Sequence, residues 1–167
     1  EFAQQKRRSE GEGVAYAALA YTQLYRGRLA EALQSAKDSL AAVSTMGSDF
    51  AFCSANGAQV QTSVLLATGE RKEAFRFAET HRTPGLSGNM VGLFEQQYSR
   101  ALYHTGAQEE ARTQLYDVIA GHRSRSEKGS VLWAEYTLAD MLVGREDREQ
   151  LLRQTQRSAA AAKMRVL

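Results

Sequence analysis

The chain has 167 residues, 43% of them hydrophobic and 24% charged, with 21 Lys+Arg against 19 Asp+Glu and a formal net charge of +2. That length suits one ordinary domain or one stretch of a solenoid and can bury a core. The near-balance of charge argues against nucleic acid or an anionic membrane as the main partner. A single cysteine, Cys53, excludes an internal disulfide and a thiolate metal cluster. No apolar stretch approaches the ~20 residues that cross a bilayer, and residues 1–10 are mixed polar rather than a charged-then-apolar leader. The expectation is therefore a reducing, cytoplasmic setting; the start at Glu1, without Met, reads as excision or processing.

Abundant Ala and Leu, a single Ile (Ile119) and a single Pro (Pro84) favour residues that lose little freedom in a helix. Taken in chain order, the periodicity predicts helices over 13–26, 29–46, 50–68, 71–82, 89–105, 108–122, 129–143 and 147–163. Apolar stripes at helical spacing support them: Leu29, Leu33, Ala36, Leu40 and Val43; then Met90, Phe94, Tyr98, Ala101 and Leu102; then Leu132, Tyr136, Ala139 and Val143. Ser9-Glu10-Gly11-Glu12 fits a capping box opening the first helix, and Asp49 and Asn89 are expected to cap later ones. The loops fall at 46–49, 83–89 and 122–129.

One hexapeptide pattern recurs. Gly27-Arg28-Leu29-Ala30-Glu31-Ala32, Gly69-Glu70-Arg71-Lys72-Glu73-Ala74 and Gly106-Ala107-Gln108-Glu109-Glu110-Ala111 all read GxxxEA, and a degenerate copy starts at Gly144. The steps from glycine to glycine are 42, 37 and 38 residues. A glycine ending one helix in the left-handed conformation, followed by a small residue where two helices approach, specifies a tight helical hairpin. Hairpins with one-sided apolar stripes bury them by stacking, so the expected architecture is all-α and repetitive.

These residues resemble the tetratricopeptide repeat. Tyr16, Leu19 and Ala20 fill its helix A positions in the first copy, and Trp133 and Tyr136 do so in the fourth. Ala32, Ala74 and Ala111 fill its helix B position, with Ala36 and Ala78 as second small residues and Pro84 near the terminal proline. Ala58, Gln61, Thr62, Glu95 and Ser99 depart from the signature. The resemblance implies a right-handed α-α superhelix of about four helix-turn-helix repeats, near 13–48, 49–86, 87–126 and 127–167, forming one domain over 1–167. The long period and the phrase Gly27-Arg28-Leu29-Ala30-Glu31-Ala32-Leu33 resemble the repeat arms of MalT-like and large LuxR-family bacterial regulators.

Catalytic signatures are sparse. His81, His104 and His122 fall in separate segments with no metal-ligand pairing, and Phe52-Cys53-Ser54 resembles no nucleophile motif. Glu109-Glu110 and Glu146-Asp147 sit where acids complement a helix dipole. No phosphate loop or dinucleotide fingerprint occurs, so no cofactor is expected. Lys6-Arg7-Arg8 and His122-Arg123-Ser124-Arg125 are short basic runs closely followed by acids, read as solvated loops rather than nucleic-acid contacts.

The resemblance carries a concave groove with it, lined by fixed helix A positions. These are Val14, Ala17, Tyr21, Leu24 and Tyr25 in the first copy, and Asn56, Gln59, Ser63, Leu66 and Ala67 in the second. In the third they are Leu93, Gln96, Arg100, Tyr103 and His104, and in the fourth the apolar Val131, Ala134, Leu138, Met141 and Leu142. The candidate ligand- or partner-binding residues are Tyr21, Tyr25, Asn56, Gln59, Gln96, Arg100, Tyr103 and His104, with Arg100 as the carboxylate anchor. The expected function is a non-catalytic sensing or interaction module holding a peptide segment, a partner domain or a small-molecule effector. The alternative is a small helical enzyme or resistance protein acting on or sequestering a natural product, which requires Arg100, Tyr103 and His104 to converge in one pocket. A homodimer is a further expectation, through an apolar face of the last helix at Leu151, Leu152 and Ala159–Ala162.

Overall fold

The computed structural model describes residues 2–44, 51–82, 88–142 and 147–161, the side chains of 2–7 and 51–52 excepted. Among the described residues there is no strand, and eight helices follow one another: α1 (Phe2–Tyr25), α2 (Leu29–Val43), α3 (Ala51–Ala67), α4 (Arg71–His81), α5 (Asn89–Tyr103), α6 (Gln108–Ser124), α7 (Lys128–Met141) and α8 (Asp147–Ala161). Each odd-numbered helix packs on the even-numbered one after it. The odd helices also touch in series, α1 on α3, α3 on α5 and α5 on α7, and so form one continuous inner layer of an all-α repeat solenoid.

The GxxxEA glycines do what their backbone freedom allows. Gly27, Gly69 and Gly106 have φ of 74°, 85° and 101°, in the left-handed region. The chain reverses there with Arg28 N–H donating to the Gln23 carbonyl at 2.9 Å and Glu70 N–H to that of Leu65 at 2.9 Å, the six-to-one bond of a glycine-terminated helix. The motif alanines open the next helix. Ala32, Ala74 and Ala111 donate to Arg28, Glu70 and Ala107 at 2.9, 2.8 and 3.0 Å. All three are fully buried, where a larger side chain would push the paired helices apart. Ser126, at φ 58°, plays the glycine's part between α6 and α7, and Glu127 N–H donates to His122 O at 3.0 Å.

Five features differ from the sequence expectation. First, α1 begins at Phe2, so Ser9 and Glu12 are helix-interior residues and not a capping box; Arg8 Nε donates to Glu12 at 2.9 Å instead. The helix tolerates Gly13 because Ser39 Oγ donates to the Gly13 carbonyl at 2.7 Å, and a Cβ there would meet Val43 Cγ1 at 2.6 Å. Second, Asn89 is the first residue of α5 rather than its cap, and its amide donates to Ser130 Oγ at 3.2 Å. Third, the 122–129 loop shrinks to 125–127, since α6 runs to Ser124 and α7 starts at Lys128. Fourth, Ala134, Leu138, Met141 and Leu142 are core residues packed with Leu115 and Ile119, not a groove wall. Fifth, the apolar side of α8 is turned inward: Ala159 is fully buried and Leu151 and Leu152 are half-buried. The expectations on 46–49, Pro84, Val143, Gly144, Glu146 and Ala162 lie outside the described residues.

The core runs along the array as linked clusters. Ala17, Ala20, Ala32, Ala36, Val60 and Val64 join α1, α2 and α3, and Ala58, Ala78, Phe94, Tyr98, Leu102 and Ala111 join α3 through α6. Small residues at the crossings and one large side chain between them set the helix spacing, so each pair fixes where the next inner helix points.

Candidate functional site

Four inner helices bound one hollow of about 590 Å3. From α1 come Tyr21, Leu24 and Tyr25; from α3, Gln59, Ser63, Leu66 and Ala67; from α5, Met90, Leu93, Gln96, Gln97 and Arg100; from α7, Gly129, Ser130 and Trp133. The helical period explains the grouping, because residues three, four and seven apart share a face. Gln59 and Gln96 each lie ten positions before a turn glycine, and Ser63 and Arg100 each lie six before it, so equivalent side chains from neighbouring helices line up across the floor.

Five of the eight candidate residues meet here: Tyr21, Tyr25, Gln59, Gln96 and Arg100. The other three do not line the hollow. Asn56 is buried about one turn before Gln59 on α3. Tyr103 packs partly into the core under the Arg112 guanidinium, 5.9 Å from its ring centroid. His104 is exposed at the end of α5, edge-on to Tyr103 at 5.7 Å, and is held below the usual histidine range by burial first and then by Arg71 and Arg100. Arg100 therefore lines the hollow without Tyr103 and His104 beside it in the lining.

The floor of the hollow is polar and incompletely paired. Gln59 and Gln96 are 7% and 3% exposed, yet Oε1 of each has no hydrogen-bond partner among the described residues. Gln96 is locked by its other end, where Nε2 donates to the Thr137 hydroxyl at 2.5 Å and to the Trp133 carbonyl at 3.2 Å, leaving Oε1 fixed. Stranding a buried acceptor costs about 1–3 kcal/mol, so such groups call for an explanation. The half-buried Arg100 donates from Nη1 to Gln97 Oε1 at 2.9 Å and has no ion-pair partner among the described residues. Burial pulls its guanidinium below the ordinary arginine range, with Asp140 opposing at longer reach.

Aromatic rings form the rim. Tyr25 is 72% exposed and stacks on Tyr21 with centroids 6.3 Å apart, and Trp133 on the opposite side is 55% exposed. The Tyr21 phenol is pushed up well past its ordinary value by burial first and then by Tyr25, with the Ser63 hydroxyl working against the shift. The site thus offers two buried acceptors, one of them held in place, a cation without an ion pair among the described residues, and two exposed rings. Among the lining residues there is no paired nucleophile and base, and no group of three metal-ligating side chains occurs among the described residues.

Sequence reasoning missed Trp133, which it set at a packing position. The signal was its place off the Leu132-Tyr136-Ala139 stripe and seven residues before exposed Asp140, two helical turns along the polar side. The other candidates have structural partners. His81 stacks on Phe77 at 4.1 Å, and His122 is fully buried with Nδ1 2.5 Å from Glu127 Oε2. Cys53 is buried, its thiol pushed up by desolvation first and then by Glu10. Arg123 and Arg125 pair with Glu135 and Glu127 at 2.6 and 2.9 Å. No helix among the described residues is long and apolar enough to cross a membrane.

Fold and hollow together define a class: an all-α solenoid of TPR-like helical repeats. No family model matches the chain and no curated protein matches it. It is similar in fold to two solved structures of a Podosopora anserina protein described as a putative kinesin light chain with nearly identical TPR-like repeats. One of them matches with a TM-score of 0.61 and 20% identity, over 90% of this chain and 76% of that chain. The other matches with a TM-score of 0.57 at the same identity and coverage. At that identity the likeness shows the fold.

Proposed function

We propose that the chain is a binding module whose concave hollow holds an extended peptide segment of a partner protein, with an acidic group of that peptide on Arg100. The observation that carries this reading is the pair of buried amide oxygens, Gln59 Oε1 and Gln96 Oε1, without a hydrogen-bond partner among the described residues, beside an arginine that forms no ion pair among them. Backbone N–H groups of an extended peptide supply the donors those oxygens lack, and a side-chain or terminal carboxylate fits the guanidinium fork. Tyr25 and Trp133 supply apolar area on either side of the strand. A small-molecule effector with the same donors and acid would satisfy the floor but leave one of the two rims bare.

The four hairpins are read as repeats near 13–48, 49–86, 87–126 and 127–167 of one domain. The Gly27–Leu33 phrase supports a role as the interaction arm of a larger bacterial regulator working in the cytoplasm. Trp133 is the only tryptophan in the chain, so its emission tests the groove directly. Titration with a pool of short peptides ending in Asp or Glu should shift Trp133 emission to the blue, and Arg100→Ala should weaken the response at least about tenfold, the loss of ~1.4 kcal/mol. Equal binding by wild type and Arg100→Ala, or a response only to neutral peptides, overturns the assignment.

A further inference from the structure

Gln97 lines the hollow beside Arg100 and bonds differently from its neighbour Gln96. The Gln96 amide reaches across to α7, donating to the Thr137 hydroxyl and the Trp133 carbonyl. Gln97 is buried too, at 8% exposure, yet among the described residues its one hydrogen bond stays on its own helix. There Oε1 accepts from Arg100 Nη1 at 2.9 Å. That bond joins no two helices. What it fixes is the Arg100 guanidinium, held at one nitrogen by an uncharged oxygen.

The same spacing elsewhere in the chain shows what this position forgoes. Twice an acid stands three residues before an arginine, Glu73 before Arg76 and Glu109 before Arg112, and both close as ion pairs, the first at 2.7 Å. Side chains three apart are neighbours on a helix, so an acid in place of Gln97 would neutralise Arg100 in the same way. One repeat further on, the position does carry an acid: Glu135 lies nine residues before Gly144, as Gln97 lies nine before Gly106. Its carboxylate is engaged within the fold, 2.6 Å from Arg123 and accepting from the Thr155 hydroxyl at 2.9 Å. The carboxylate that acts on Arg100 from α7, Asp140, is exposed and forms no ion pair with it.

We propose that Gln97 sets the charge selectivity of the hollow: its neutral amide orients the Arg100 guanidinium and leaves the charge to an acid of the ligand. The inference rests on the reading that an acidic group of a peptide meets Arg100, and adds that position 97 decides whether it can. An amide oxygen holds one edge of the guanidinium fork as a carboxylate would, without cancelling its charge. Ordering the long side chain in advance also lowers what the ligand must supply on binding. The ligand class this favours is anionic over isosteric neutral: Asp or Glu where Asn or Gln would have the same shape.

The test pairs an acidic peptide selected by Trp133 fluorescence with its neutral counterpart, carrying Asn and Gln for its acids and an amidated end. Wild type should prefer the acidic peptide by at least about tenfold. Gln97→Glu should erase that preference, with helical circular dichroism and melting temperature not lowered. Gln97→Met removes the acceptor without adding charge, so it should weaken the acidic peptide only about threefold and keep the preference. In an Arg100→Ala background, Gln97→Glu should weaken acidic binding less than about threefold, the scale of an exposed charge pair. Without ligand, the carboxyl introduced by Gln97→Glu should titrate below the ordinary glutamate value in carbon NMR and return to it when Arg100→Ala is added. Acidic binding by Gln97→Glu as tight as wild type, or a carboxyl that titrates alike with and without Arg100, overturns the proposal. A melting temperature lowered equally in Gln97→Glu and Gln97→Met assigns Gln97 to the fold and overturns it as well. Equal binding of the acidic peptide by wild type and Arg100→Ala instead overturns the peptide reading, and the ligand-free titration still reads whether position 97 controls Arg100.

Discussion

The two sides of α5 use polar side chains in opposite ways. Toward α4 and α6 the groups close on one another: the Tyr98 hydroxyl donates to Glu79 at 2.8 Å, Arg82 lies 4.4 Å over the Tyr98 ring and pairs with Glu95 at 3.0 Å, and Gln114 donates to Glu95 at 2.6 Å. Toward the hollow, Gln96 keeps an oxygen unmatched and Arg100 forms no ion pair among the described residues. One helix thus carries a finished network and an unfinished one. Finished networks hold a fold together, and unfinished ones are what a ligand can complete. That contrast, rather than the presence of polar residues in a groove, distinguishes a binding floor from a structural patch.

The comparison can be broken at several points, beginning with the core between the two sides. Phe94, 2% exposed, anchors α5 to α3, α4 and α6. Phe94→Ala should cost about 3–5 kcal/mol in urea denaturation, and a loss under about 1 kcal/mol would mean that α5 is not held as described. Next, Arg100→Ala should cost about 1.5–3 kcal/mol of peptide binding, the range for a charged hydrogen bond, with little change in melting temperature. A large stability loss with intact binding would place Arg100 in the structural class.

On the finished side, Tyr98→Phe should lower stability by about 0.5–1.5 kcal/mol and leave binding unchanged. The same residue sets an alkaline limit. Burial first, and then the Glu79 carboxylate, push the Tyr98 phenol up to about 12 from 10.0. A raised folded-state value means that its contribution is complete below the unfolded value near 10 and is lost as pH climbs toward 12. Stability should fall across that window, less steeply in Tyr98→Phe; identical profiles would remove Tyr98 from the account. The smallest expected effect is the sharpest. Gln59→Leu removes a stranded acceptor and should change stability by no more than about 0.5 kcal/mol, or raise it, while weakening peptide binding.

Much of this was legible in the sequence because turn chemistry and periodicity are local. Gly27, Gly69 and Gly106 announced three reversals, and α2 to α8 lie within a few residues of the expected bounds, whereas α1 does not. Of the groove positions implied by the tetratricopeptide resemblance, Tyr21, Tyr25, Gln59, Gln96 and Arg100 line one hollow. What failed was tertiary. Ser9-Glu10-Gly11-Glu12 reads as a capping box, but α1 runs on to Phe2, with Gly13 inside it where α2 comes too close for a Cβ. The fourth repeat slipped because its motif is degenerate, and with it went Trp133 and the supposed apolar end of the groove.

The central claim is that the ligand completes the unfinished side of α5. An NMR titration with an acidic peptide selected by Trp133 fluorescence tests it most directly. The account predicts shifts in the side-chain amides of Gln59 and Gln96, the Trp133 indole and the Arg100 guanidinium, with the backbone of Arg82, Glu95 and Tyr98 unmoved. Shifts confined to Arg82, Tyr98 and Gln114, with the hollow silent, would contradict it.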